Sequence, residues 1–168
     1  MSNLSPGQAA RRIVPCVGAV VHDDAGRLLL VRRANPPAQG TWSLPGGRVE
    51  AGEDDAGAVV REVGEETGLR VEAGDVVGVV ERDAPGGGRY VITDLACRVV
   101  GGTLAAGDDA SDVGWFDAAS VTALPTSPGL VAALREWGVL ASTSSTEPEP
   151  DGPAARRRAR PGSSAWAP

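Results

Sequence analysis

Three glutamates, Glu62, Glu65 and Glu66, stand three and four residues apart within the stretch Gly46 to Leu69, GGRVEAGEDDAGAVVREVGEETGL. On an α-helix each residue turns about 100°, so positions related as i, i+3 and i+4 share one stripe. Ala56, Val59, Val60, Val63 and Thr67 fall on the adjoining, mostly apolar face, which can pack inward while the carboxylates face a cleft. Carboxylates gathered this closely repel, since two unit charges about 4 Å apart cost roughly 4 kcal/mol at an effective dielectric of 20. A cation would offset that cost. All-oxygen ligation suits Mg²⁺ or Mn²⁺, and Mg²⁺ keeps several waters and shares the oxygens of substrate phosphates. The stripe therefore points to a phosphate substrate brought in with its metal. Three glutamates on an arbitrary helix are more often a solvated face, so the weight rests on the whole pattern around them.

Two elements must position those side chains. Pro45-Gly46-Gly47 permits backbone conformations closed to other residues and lets main-chain amides approach an anion. Asp54 or Asp55 can cap the helix start, and Gly68 supplies its C-terminal stop. The expected local structure is loop, helix, loop.

The specified positions run Gly47, five residues, Glu53, seven residues, then Arg61-Glu62-Val63, one residue, Glu65-Glu66, one residue, Gly68-Leu69. This segment resembles the Nudix box, the signature of the Nudix (MutT-like) hydrolases, with every specified position matched. LLLVRR before it, TWSLPGG leading into it and VGWFDAASV after it resemble the same family, which extends the resemblance over residues 13 to 138.

The resemblance implies an α/β fold: a single-domain α/β/α sandwich with a mixed β-sheet and a catalytic loop-helix-loop. It implies metal-dependent hydrolysis of a nucleoside diphosphate linked to some other group X, with Mg²⁺ or Mn²⁺ as cofactor. The implied metal site is Glu62, Glu65 and Glu66 with the Gly46 backbone, and one of the glutamates can instead serve as the general base. Arg61 is expected to orient the glutamates by charge-assisted bonds rather than to touch substrate. Glu53, at the far end of the loop, either completes the site or braces the loop. Many members recruit a further carboxylate from a later loop, which here is Gly107 to Asp112. Asp109 is the first choice and Asp112 the second, although relatives often carry the longer Glu there.

With 168 residues and 42% hydrophobic content, the chain suffices for one domain and one core. Residues 1–10 are expected to be flexible, 11–140 to form the domain, and 141–168 to be disordered. That last stretch holds Ser, Thr, Pro, Glu and Arg with almost no large apolar side chain and cannot bury enough to fold. No apolar run reaches the roughly 18 residues of a membrane span, and MSNLSPGQAARR lacks the apolar core of a secretory signal. The expectation is a cytoplasmic protein with no membrane association, as a monomer or homodimer. The net charge of −6 argues against a stable nucleic-acid partner, because backbone recognition needs a basic surface. Cys16 and Cys97 lie far apart in apolar runs and read as reduced core thiols.

Ile13 to Val21 reads as an apolar strand, Asp23 to Gly26 as a turn and Leu28 to Arg33 as its hairpin partner, together the first pair of the sheet. Asp75 to Glu81 and Tyr90 to Val100 read as strands around the turn-prone Ala84 to Gly88, and Val113 to Phe116 as a short strand. Asp117 begins a helical turn, and Pro128 to Trp137 is a closing amphipathic helix with Leu130, Val131, Leu134 and Trp137 inward. His22, beside a turn, reads as inert.

For substrate contacts the candidates are Arg32 or Arg33, which alternate faces of one strand, with Gly47, Arg89 and Tyr90. Trp42 in TWSLPGG is expected to pack under the glycine turn, which leaves Tyr90 as the one aromatic to stack a base. The small-molecule nucleoside diphosphate substrate is then ADP-ribose or a nucleotide sugar, with an 8-oxo-dGTP or dNTP house-cleaning diphosphatase as the alternative. Two further readings are a non-catalytic nucleotide-binding regulator, which an intact box disfavours, and an adaptor held through the Arg156–Arg160 run of the tail.

Overall fold

A computed structural model describes residues 11–140; the expectations for residues 1–10 and 141–168 fall outside the described residues. The chain folds as strands β1 (Ile13–Val21), β2 (Leu28–Arg33), β3 (Trp42–Ser43) and β4 (Gly46–Arg48), helix α1 (Asp55–Thr67), strands β5 (Leu69–Ala84), β6 (Gly88–Gly102) and β7 (Ala110–Phe116), and helices α2 (Ala118–Ala123) and α3 (Leu130–Glu136). A four-stranded mixed sheet runs β4-β1-β6-β5, and a three-stranded antiparallel sheet runs β3-β2-β7.

The expected hairpin between β1 and β2 does not form. β1 pairs in parallel with β6 and antiparallel with β4, while β2 pairs with β3 and β7, and only a His22–Leu28 bridge survives between the two segments. The reason lies in their composition. From Cys16 to Val21 and from Leu28 to Val31 every residue is buried, so each strand needs cover on both faces and neighbours on both edges. Each becomes the interior strand of its own sheet.

Side-chain alternation then sorts two cores. Val17, Ala19 and Val21 of β1 and Leu95 and Cys97 of β6 pack with Ala58, Val59 and Val63 of α1. Val20, Leu28, Leu30 and Trp42 pack with Val121 of α2 and Leu130 and Leu134 of α3. One helix therefore covers one face and two cover the other, giving a single α/β domain with a mixed sheet between helices. Trp42 is buried and meets Phe116 edge-on at 4.7 Å between ring centroids, so it is a packing residue of the second core. Both cysteines are buried and free.

The box helix starts and stops where its sequence suggests. Asp54 is the N-cap, accepting from the Gly57 N–H at 2.7 Å, and Gly68 ends the helix in the left-handed region at φ 70°, where glycine carries no Cβ penalty. Its buried stripe is Ala58, Val59, Val63 and Thr67, whereas Val60 is exposed and Ala56 faces solvent. The apolar face sits about one residue away from the expected one, because Val59, Val63 and Thr67 form an i, i+4 row that Val60 cannot join. β5 and β6 are also longer than expected. Register shifts interrupt β5 between Ala73 and Gly78, and a bulge breaks the period-2 pattern that marks a strand in sequence.

Candidate functional site

α1 sets its glutamates against the turn between β3 and α1. Glu66 Oε2 accepts from the Gly46 N–H at 2.8 Å, and the Glu62 carboxylate lies so close to Gly47 that a Cβ there would stand 2.5 Å from its Cδ. Gly46 and Gly47 are thus the floor on which two carboxylates rest. Burial raises Glu66 to about 7, opposed by the Gly46 N–H and by Arg33 and reinforced by the charges of Glu62 and Asp109. Burial likewise raises Glu62, against the pull of the Arg61 guanidinium. Glu65 is mostly exposed, at 61% for its side chain, and accepts from Arg61 at 3.2 Å.

Arg61 ties the loop to the helix. Its Nε and Nη2 donate to both oxygens of Glu53 at 2.8 and 2.9 Å, Nη1 donates to Glu62 at 2.9 Å and Glu65 at 3.2 Å, and Nη2 reaches the Arg48 carbonyl at 3.0 Å. Glu53 also accepts from the Glu50 N–H at 3.1 Å, and these bonds hold it at about 2, Arg61 contributing most. The pair braces the loop.

Among the described residues no three carboxylates, imidazoles or thiols converge closely enough to cage a metal alone. The donor set nonetheless fits a hydrated hard cation. Glu62 and Glu66 are oxygen donors with raised affinity for positive charge, and Arg61 leaves Glu66 to a single backbone N–H. Mg²⁺ takes one or two carboxylates and keeps its remaining waters, which matches two half-buried glutamates beside an open cleft.

The loop before β7 closes the other side. The Gly107 N–H donates to the Glu66 carbonyl at 3.0 Å and the Ala105 N–H to the Thr67 carbonyl at 2.9 Å. Asp109 accepts from Asn35 Nδ2 at 3.1 Å, and its carbonyl accepts from the Ala34 N–H. Asp109 is therefore the carboxylate brought near Glu66, while Asp112 pairs across from Arg32 and accepts the Val113 N–H.

A cleft of about 530 Å³ opens beside this turn, within the range of small-molecule sites. Arg33, Gly46, Gly47 and Tyr90 line it. Arg32 and Arg89 do not. Arg32 points to the opposite face of β2 and donates to the Gly40 carbonyl at 3.1 Å. Arg89 alternates with Tyr90 on β6 and pairs with Glu81 at 2.6 Å, so it leaves the substrate-contact set.

Arg48, Arg82 and Asp94, none of them a candidate from the sequence, also line the cleft, as does Trp137, expected only to pack inward. Arg48 Nη2 donates to the Tyr90 hydroxyl at 3.1 Å. Asp94 is a charged residue inside the apolar run Tyr90 to Val100, a signal that could have found it. It is 95% buried by its 5% exposure, and burial raises it to about 6 against the opposing charge of Arg82. Native Asp94 thus holds its proton more tightly than the unfolded chain, whose aspartate keeps the ordinary 3.8. Stability therefore falls as pH rises from 3.8 through 6, by at most about 3 kcal/mol. Asp94→Asn removes that cost. Its melting temperature is expected to exceed that of the parent above about pH 7, with the gap shrinking below pH 6 and gone below about pH 4. A gap independent of pH would show that ionisation at this position costs nothing.

A family profile for the NUDIX domain matches residues 6–137. The chain belongs to the Nudix family. Among curated relatives, an ADP-ribose pyrophosphatase from Methanocaldococcus jannaschii is 40% identical over 102 residues, 60% of each chain. An 8-oxo-dGDP phosphatase from Mus musculus is 33% identical over 127 residues, 73% of this chain and 37% of its own. The chain spans less than two-thirds of the length of either relative. Among solved structures, a MutT Nudix hydrolase from Burkholderia pseudomallei superposes with a TM-score of 0.64 at 30% identity, covering 74% of this chain and 98% of that one. The Nudix box identified by spacing is therefore part of a Nudix domain. No helix among the described residues is long and apolar enough to cross a membrane.

Proposed function

We propose that this Nudix chain is a divalent-metal-dependent pyrophosphohydrolase that cleaves a nucleoside diphosphate linked to another group, with ADP-ribose or a nucleotide sugar as the substrate class. The observation that carries the reading is the pair Glu62 and Glu66 set against Gly46 and Gly47 at the edge of the cleft. The name of the Methanocaldococcus jannaschii relative supports it. Glu62 and Glu66 would hold Mg²⁺ or Mn²⁺, together with Glu65 and the Gly46 backbone. When bound, that ion supplies charge neutralisation at diphosphate oxygens and an acidified water.

This chain's residues do the rest. Arg33, on the cleft wall, meets phosphate oxygens as a planar donor fork. Arg61 positions Glu62 and Glu65 and does not touch substrate. Glu53 is a poor proton acceptor because Arg61 holds it at about 2, so the proton of the attacking water goes to Glu62, Glu65 or Asp109. The action is cytoplasmic, on a small molecule rather than a nucleic acid.

A second reading is an 8-oxo-dGTP or dNTP house-cleaning diphosphatase, and the oxidised guanine nucleotide in the name of the Mus musculus relative, an 8-oxo-dGDP phosphatase, supports it. One metal-supplemented panel separates the two: ADP-ribose, nucleotide sugars, dinucleoside polyphosphates, dNTPs and 8-oxo-dGTP, compared by kcat/KM. A lead of more than about tenfold for 8-oxo-dGTP or a dNTP, roughly 1.4 kcal/mol of transition-state preference, replaces the first reading by the second. Excess chelator is expected to abolish release of phosphate-bearing products from every active substrate, and undiminished hydrolysis in chelator would overturn the metal assignment.

A further inference from the structure

Among the described residues the one buried charged side chain is Asp94, and it lines the cleft. In β6 it stands between two glycines, Gly18 of β1 on one side and Gly78 of β5 on the other. Both are occupied by neighbours rather than by solvent. The Asp94 carboxylate lies where a Gly18 Cβ would be, with its Cγ 3.2 Å from that position, and the Trp137 indole lies over Gly78, with Cζ2 2.6 Å from the Gly78 Cβ position. A side chain at either place would exclude the carboxylate or the ring.

Asp94 has no hydrogen-bond donor or ion-pair partner among the described residues, although it is 95% buried by its 5% exposure. Its oxygens are not sealed in, since no fully enclosed side-chain polar atom lacks a partner, and Asp94 lines the cleft together with Trp137, Tyr90 and Arg82. A buried carboxylate without a donor is costly, and this one lies two strands across from Gly46, whose N–H holds Glu66. That arrangement calls for a donor from the ligand.

We propose that Asp94 is the base-reading residue of the cleft, accepting two adjacent N–H donors from a guanine edge while Trp137 or Tyr90 stacks the ring. An ionised carboxylate offers two acceptors side by side and no donor. Guanine presents N1–H and the N2 amino group in that spacing. Adenine and cytosine each present one amino group next to a ring-nitrogen acceptor, which a carboxylate repels. Recognition of a base by its hydrogen-bonding edge and by stacking between side chains is a general mode for extruded or free bases, and a site built on paired polar groups discriminates strongly against a ligand that leaves them unpaired. The inference rests on the nucleotide-hydrolysis reading above and selects its nucleotide-sugar branch over its ADP-ribose branch, with guanosine diphosphate sugars as the substrates.

The test is calorimetric titration of the full chain in chelator with GMP, IMP and AMP, which reads base recognition without hydrolysis. GMP is expected to bind about tenfold or more tightly than AMP, with IMP, which lacks the amino group, between them. In Asp94→Asn the amide offers one acceptor and one donor, so the GMP-to-AMP ratio is expected to fall to within about twofold or to invert. Gly18→Ala, which displaces the carboxylate, is expected to lose the same preference. Melting curves of both variants check that they fold. Equal affinity of the parent for GMP and AMP, no measurable binding of any of the three, or an unchanged ratio in a folded Asp94→Asn would each overturn the proposal. Loss of metal-dependent hydrolysis with base preference intact would instead count against the catalytic reading alone.

Discussion

Glu66→Gln is expected to lower kcat about a hundredfold to a thousandfold on whichever substrate leads the panel, with the fold unchanged. The amide keeps the shape of the side chain, and its carbonyl oxygen can still accept the Gly46 N–H that now binds Glu66 at 2.8 Å. What it removes is the charge. Burial has already made that carboxylate hungry for a cation, raising it to about 7, and Arg61 is spent on Glu53, Glu62 and Glu65. Glu65→Gln should cost less, because its side chain is 61% exposed and meets Arg61 at the longest of the three distances. The measurement is kcat and KM for both variants at saturating Mg²⁺, with melting curves alongside. A Glu66→Gln enzyme retaining near-full kcat would remove Glu66 from the metal site.

How much of this was legible in sequence depends on the range of the interaction. The box was readable because its logic is local: Asp54 caps, Gly68 stops, and residues 62, 65 and 66 share a stripe whatever the rest of the chain does. Side-chain alternation likewise allowed one of Arg32 and Arg33 into the cleft, but only the pairing of β2 with β3 and β7 decides which. The β1–β2 hairpin failed for the same reason. A turn between two apolar strands suggests pairing, yet the parallel partner of β1 lies more than seventy residues on, from Arg89 to Cys97, and nothing local announces it. Arg89 and Tyr90 are neighbours in sequence and stand on opposite faces of the sheet, so only one could serve the cleft. Asp94 and Trp137 gain their setting from Gly18 and Gly78, glycines that become meaningful only when three strands are placed side by side.

The glycine turn offers the largest expected effect on stability. A Cβ at Gly46 would be driven into the Val17 carbonyl oxygen and lie 2.8 Å from the Gly18 Cα, and its φ of 157° is one that other residues rarely adopt. These are backbone atoms of an interior strand and cannot swing away. Gly46→Ala must therefore push β4 off β1, where Gly46 pairs with Gly18, and it also shifts the N–H that anchors Glu66. A loss of about 3 kcal/mol, or roughly 10 °C in Tm, is expected, together with a fall in kcat. Two neighbours separate the causes. Gly52 has a φ of 86° but nothing within 4 Å of its Cβ position, so Gly52→Ala bears backbone strain alone, about 1 kcal/mol. Gly47 would meet only the Glu62 carboxylate, the far end of a flexible side chain, so Gly47→Ala should keep most of its stability while losing activity as Glu62 is displaced. If Gly46→Ala melts within a few degrees of Gly52→Ala, strand β4 is not held against β1 as tightly as its contacts require, and the platform beneath the glutamates is softer than this geometry demands.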